Sequence, residues 1–114
     1  DLTLNDDRFY QLHAQTCKVF TSPVRLKIID LLRYGERSVT QLAETLGLNQ
    51  PNISQHLAVL RDKGILKVRR EGNCNYYSVV NPKIFDAFDL MQEVIVEELS
   101  RGMLIVQQIY TDKS

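Results

Sequence analysis

The segment SVTQLAETLGLNQPNISQHLAVLRDKGIL, Ser38 to Leu66, constrains the fold of this chain more than any other. It holds two short apolar helical periods with almost nothing between them. Leu42, Ala43 and Leu46 recur at the spacing of one helix face, Gly47 is suited to end that helix, and only Leu48 and Asn49 separate it from a second period of Ile53, Leu57 and Leu60. Ser38 or Thr40 can cap the first helix. Asn49 can cap the second, Pro51 falls early enough that its missing N–H costs nothing, and Gly64 marks the exit. Two short helices joined so tightly form a helix-turn-helix, expected over residues 38–63.

The second helix has an unusual polar face. Turning each residue by about 100° from the Ile53/Leu57/Leu60 stripe points Pro51, Gln55, Ala58 and Asp62 outward, with Ser54 and Arg61 on one flank and Asn52 and Val59 on the other. An ordinary solvated face would carry Lys and Glu. Gln and Asn pair bidentately with adenine in the DNA major groove, and small apolar groups such as Pro51 and Ala58 meet thymine methyls. Gln50, Pro51, Asn52, Ser54, Gln55 and Arg61 are therefore the expected DNA-reading set, with Ser38 and Thr40 at the start of the preceding helix added to the contacts. His56 points toward the edge of the core, where a structural hydrogen bond is its expected role.

The remaining segments fit around this motif. A first helix is predicted from Asp6 or Asp7 to about Phe20, with Phe9, Leu12, Thr16, Val19 and Phe20 on its apolar side. A second begins with Ser22 as cap and Pro23 at its first position, buries Val24, Ile28, Leu31 and Leu32, and ends at Gly35. After Gly64 the period becomes alternating. The runs ILKVRR and NYYSVV flank the turn EGNC, so residues 65–80 are predicted to form a hairpin, or wing, with Arg69 and Arg70 near its tip positioned for backbone phosphates. From Asn81-Pro82 to about Tyr110 a long helix is predicted with apolar residues around much of its circumference, from Ile84, Phe85 and Phe88 through Leu90, Met91, Val94, Ile95, Val96 and Leu99 to Met103, Leu104, Ile105, Val106 and Ile109. Such a helix needs a second surface. Pairing residues 1–20 and 82–110 across a two-fold axis would provide it and would space two reading helices about 34 Å apart, one turn of DNA. The expected fold is mainly α with a small β-hairpin, in the order α-α-α-α-β-β-α, as a single domain over residues 1–114 that dimerises through its first and last helices.

Composition agrees. With 114 residues, 44% hydrophobic and 25% charged, the chain has the make-up of one globular domain. No apolar run approaches a membrane span, the start DLTLNDDRFY is acidic rather than signal-like, and a cytoplasmic location is expected. Net charge is zero but unevenly spread: residues 49–81 carry five cations against two carboxylates, and residues 82–110 two cations against five. That asymmetry suits one face built for an anion and another kept from it. Neither a phosphate-binding glycine loop nor a nucleophile with a partner base occurs, so catalysis is not expected. Cys17 and Cys74 stand alone, without the paired spacing of a zinc ribbon.

At this density of features the sequence resembles the ArsR/SmtB family of winged-helix repressors. SPVRLKIIDLL is similar to the family's DPxRxxIL helix, the Ser38–Leu66 segment to its helix-turn-helix with the S-x-H-L pattern, and VRREGNCNYYSV to its R-x-G-x-x-x-Y-Y wing, over roughly residues 17–80. The resemblance implies a homodimeric repressor that binds an inverted-repeat operator in double-stranded DNA and leaves it when an inducer, often a metal ion, engages the dimer. The family's two best-known metal sites are absent. ERSVTQL has Ser38 and Thr40 where the thiolate site ELCVCDL has cysteines, and the C-terminal helix has no histidine for a D-x-H and H-x-x-E set. No resident metal or cofactor is expected. His13, Cys17 and Cys74 remain as sensing candidates: His13 and Cys17 share a helix face at i, i+4 and with Cys74 could hold a thiophilic metal in a non-standard site, or Cys74 beside Arg69 and Arg70 could act as a reactive thiol. A winged-helix module used only for protein contacts is the other open alternative.

Overall fold

The computed structural model describes residues 6–102. The chain divides between Asn81 and Pro82 into two compact units. In the first, the Asp6 carboxylate caps α1 (Asp7–Lys18) by accepting from the Arg8 N–H at 2.8 Å, and it also pairs with the Arg8 guanidinium. A single 3-10 turn, Val19–Thr21, carries the chain to Ser22, whose hydroxyl accepts from the Arg25 N–H at the start of α2 (Pro23–Leu32). Proline at the first position of α2 needs no amide partner there.

A two-residue strand, β1 (Arg37–Ser38), follows; no alternation in the sequence announces it. It leads directly into α3 (Val39–Leu46), and between Ser38 and Thr40 the cap is Ser38. Its hydroxyl accepts from the Gln41 N–H while the Gln41 side chain accepts from the Ser38 N–H. Gly47, at φ 68°, ends α3 in the left-handed region. The Asn49 side chain then accepts from the Asn52 N–H at 2.8 Å to cap α4 (Gln50–Asp62). Strands β2 (Leu66–Glu71) and β3 (Cys74–Val79) pair antiparallel with Leu66 opposite Val79 and Glu71 opposite Cys74, leaving Gly72 and Asn73 as a two-residue turn. Gly72 supplies the positive φ, 60°, that such a turn requires. Strand β1 adds to the other edge of β3, with Arg37 opposite Tyr77 and Ser38 opposite Tyr76, so the predicted hairpin is a three-stranded sheet of order β1-β3-β2.

The core of this unit joins α2, α3, α4 and β2. Ile28, Ile29, Leu42, Ile53, Leu57 and Leu60 are fully buried, and Val19, Leu32, Ala43 and Leu66 nearly so. The Ile53/Leu57/Leu60 stripe is inward as the period requires. In α2 the buried set is Ile28, Ile29 and Leu32, whereas Val24 and Leu31 are only half-buried, because α2 turns its Ile29 side to the core.

The second unit contains α5 (Lys83–Ser100). The single predicted helix running on to Tyr110 is corrected here: α5 stops at Ser100, Arg101 caps it, and Gly102 takes φ 82° with its N–H on the Leu99 carbonyl. A glycine in that conformation closes a helix. Met103, Leu104, Ile105, Val106 and Ile109 lie outside the described residues. Along α5, Asp86, Asp89, Glu93 and Glu97 fall within one arc of about 80°, and the rest of the circumference is mostly apolar, interrupted by Lys83, Gln92 and Glu98. Leu90, Met91, Val94, Ile95 and Val96 are all exposed. Among the described residues no helix is long and apolar enough to cross a membrane.

Candidate nucleic-acid interface

Because α4 buries Ile53, Leu57 and Leu60, its opposite face is left to solvent along its whole length. Gln50, Pro51, Asn52, Ser54, Gln55, Ala58 and Arg61 are all exposed, as the sequence predicted. The N-terminal end of this face is tied to the preceding helix: the Gln50 amide donates to the Thr40 hydroxyl at 3.3 Å, joining the starts of α3 and α4. Ser38, half-buried, spends its hydroxyl on the α3 cap, which fixes the entrance of the motif. Between α4 and the sheet lies an open groove of about 470 Å³ lined by Ser54, Ala58, Arg61, Asp62 and Tyr77. Tyr77, on the central strand, was not singled out from sequence.

The two wing arginines have different surroundings, and the expectation that they act alike is revised. Alternation along β2 sends their side chains to opposite faces of the sheet. The Arg69 guanidinium donates to both carboxylate oxygens of Glu36, with its shortest contact 2.6 Å, and to Glu71 at 2.8 Å, while standing 4.9 Å over the Tyr76 ring. These bonds hold the Glu36 carboxyl below its usual range and raise Arg69 further above its own. Arg69 is thus a latch between β2 and the loop before β1. Arg70, opposite Asn75, is exposed and makes no ion pair among the described residues. Glu36 escaped sequence reasoning because it lies 33 residues from Arg69.

His56 meets its expected role. Its Nδ1 accepts from Arg25 Nε at 3.2 Å, and Arg25 Nη1 also donates to the Val19 carbonyl at 3.2 Å, so α4 is tied to the start of α2 and the turn before it. Burial first, and then the Arg25 charge, push the His56 imidazole below its ordinary pKa. The partner, Arg25, carried no sequence signal of this contact.

The sensing candidates are not assembled. Among the described residues no group of three or more His, Cys, Asp or Glu side chains is placed to hold a metal ion, so His13, Cys17 and Cys74 do not form a ligand set within one chain. His13 lies edge-on to Phe9, and Cys17 is a free, exposed thiol on α1. Cys74 is corrected from a turn residue to the first residue of β3; it is exposed, directly opposite Glu71, and the arginine on its own face of the sheet, Arg69, is already engaged by carboxylates. The cationic setting expected around this thiol is therefore weaker than the sequence suggested. Tyr76, two residues along the same face, is raised above its usual pKa chiefly by Cys74.

Comparison with known proteins places this geometry. Residues 22–68 match the family model described as bacterial regulatory protein, arsR family. The HTH-type transcriptional regulator Rv0081 of Mycobacterium tuberculosis is 32% identical over 107 residues, spanning 93% of this chain and 94% of its own length. Its crystal structure superposes with a TM-score of 0.76, at 36% identity, over 82% of this chain and 95% of that one. The transcriptional repressor PagR of Bacillus anthracis is 36% identical over 94 residues, 82% of this chain and 88% of PagR. The homodimeric winged helix-turn-helix DNA-binding domain Mb0332 of Mycobacterium bovis, solved by NMR, superposes with a TM-score of 0.75 at 31% identity, covering 88% and 93% of the two chains. A chain whose described residues form five α-helices and this wing, aligned along most of its length with proteins named as transcriptional regulators and repressors, belongs to the arsR family of bacterial regulatory proteins: it is a winged-helix transcriptional regulator and not an enzyme.

Proposed function

We propose that the chain is a homodimeric, cytoplasmic repressor that binds an inverted-repeat operator in double-stranded DNA and is released from it by an inducer. The observation that carries this reading is the outward face of α4, eight exposed residues of which six are uncharged, with Arg61 and Asp62 the two charged ones at its C-terminal end. Gln50, Asn52, Ser54 and Gln55 read base edges, Pro51 and Ala58 meet thymine methyls, and Arg61 lies on the wing side of the groove. Thr40 and Ser38 contact the backbone at the start of α3. Arg70 reaches a phosphate from the wing, and Arg69 holds the wing in place.

The dimer follows from apolar surface left uncovered. Leu90, Met91, Val94, Ile95 and Val96 are exposed on α5, and Tyr10 and Leu12 are exposed on α1; each helix by itself leaves apolar side chains that a partner surface would cover. Pairing α1 and α5 between two copies covers them, and Mb0332 is itself described as homodimeric. Binding of a duplex from the region upstream of the gene, compared with a shuffled duplex, tests the reading together with sedimentation of the free protein. A monomer with equal affinity for both duplexes would overturn it.

A thiol-reactive inducer is the finer reading. Cys74 is exposed on the wing directly after its turn, so an added sulfur or oxygen there alters the surface presented to DNA. Peroxide or polysulfide should release the wild type from operator and leave Cys74→Ser bound. Release of Cys74→Ser together with retention of Cys17→Ser would move the switch to α1.

A further inference from the structure

We propose that the basin between α1, α2 and the C-terminal end of α4 binds a small oxyanion, a phosphate or carboxylate carried on a short apolar body. The basin is open to solvent on one side and has a volume of about 420 Å³, within the range of small-molecule sites. Three cations converge on it from three elements: Lys18 at the end of α1, Arg25 in the first turn of α2 and Lys63 at the cap of α4. No carboxylate lines it, and none of the three makes an ion pair among the described residues.

Helix dipoles account for part of this charge and not all of it. Lys18 and Lys63 each complement a helix C-terminus worth roughly half a negative charge, and the N-terminus of α2 adds back about half a positive one. About two and a half positive charges remain. Arg25 is the more telling residue, because it is half-buried and yet ends on a neutral ring nitrogen and a carbonyl instead of a carboxylate. Its Nη2 donates to nothing among the described residues. The Gln15 amide adds a neutral donor at the rim, and Val19 and Val59 give the basin an apolar wall. A planar or tetrahedral oxyanion against Arg25, with its apolar body on the two valines, satisfies both parts.

None of the DNA-reading residues lines the basin; Asn52 shares its flank of α4 but stands about two turns nearer the N-terminus. Val59 and Lys63 stand on the flank of α4 that also carries His56, whereas Ser54 and Arg61 stand on the opposite flank beside the wing groove. Since Arg25 also holds His56, an anion taken up here acts on the contact that ties α4 to α2. The binding itself does not depend on the DNA reading above, because it is measured on the protein alone.

The test is an NMR titration of the isotope-labelled full chain with inorganic phosphate and with phenyl phosphate at constant ionic strength. Saturable shifts are expected at Arg25 Nε, His56, Val19 and Val59, with phenyl phosphate bound about tenfold more tightly through the valine wall. Lys18→Gln/Lys63→Gln, both surface changes, should weaken binding at least about tenfold, and a wing control, Lys67→Gln/Arg70→Gln, should leave it unchanged. Absence of saturable shifts at millimolar probe overturns the proposal. So does equal weakening by the wing control, which would mean diffuse attraction. Loss of operator affinity in Lys18→Gln/Lys63→Gln, with no probe bound by the wild type, would instead assign these cations to the DNA backbone.

Discussion

Arg70→Ala should flatten the salt dependence of operator binding, and Arg69→Ala should not. Each phosphate neutralised by a protein cation contributes about 0.9 to the slope of log K against log salt. Arg70 is exposed and unpaired among the described residues, so its removal takes one contact from each protomer and two from a symmetric complex. The slope should become shallower by about 1.8, which over a fourfold change from about 50 to 200 mM salt is roughly a twelvefold difference in the penalty of the substitution. Arg69 spends its guanidinium on Glu36 and Glu71, so Arg69→Ala removes the same formal charge without removing a phosphate contact. Its slope should stay within about half a unit of wild type, with affinity lowered at every salt concentration because the wing is no longer held to the loop before β1. Fluorescence anisotropy of a labelled operator across a salt series measures both. The reasoning is refuted if Arg69→Ala flattens the slope as much as Arg70→Ala, which would mean that the latch opens on DNA, or if Arg70→Ala leaves the slope unchanged.

Gln55→Ala, at the centre of the outward face of α4, should weaken operator binding by about 1 to 3 kcal/mol and random duplex far less; equal losses would show that Gln55 reads no base. Ile95→Asp, on the exposed apolar side of α5, should shift the protein from dimer toward monomer and lower operator affinity with it, which sedimentation velocity would detect. Stability should fall as pH drops through the mid-6 range. Burial and Arg25 hold the folded-state pKa of His56 below 6.5, so the unfolded chain takes up its proton first; this contribution to stability is full above 6.5 and declines below it until the lower folded-state value is passed. Protonation also removes the Nδ1 acceptor that Arg25 uses. Urea melts at about pH 7.5 and 5.5 should differ more for wild type than for His56→Gln, and an equal difference would exclude His56 as the source.

The helix-turn-helix was legible because everything that makes it is local. Ser38 with Gln41, Gly47, and Asn49 with Pro51 and Asn52 act over one to three residues, and the Ile53/Leu57/Leu60 stripe follows from helix geometry alone. Once that stripe is inward, the exposure of Gln55 and its neighbours is a geometric consequence. The hairpin turn was equally readable from alternation and from Gly72. The end of α5 at Ser100, two residues before Gly102, was a local signal too, but the apolar residues beyond the glycine obscured it.

Tertiary structure decided what distant residues do to one another. Strand β1 is two residues long and exists only because β3 offers an edge to Arg37 and Ser38, so no periodicity could reveal it. Glu36 and Arg69 are 33 residues apart, and Arg25 and His56 are 31 apart. Side-chain type alone could not say which of two adjacent arginines would be neutralised, since the choice depends on which face of β2 meets the loop before β1. The same holds for the basin of Lys18, Arg25 and Lys63, whose charges are scattered in the chain and become a site only where α1, α2 and α4 converge.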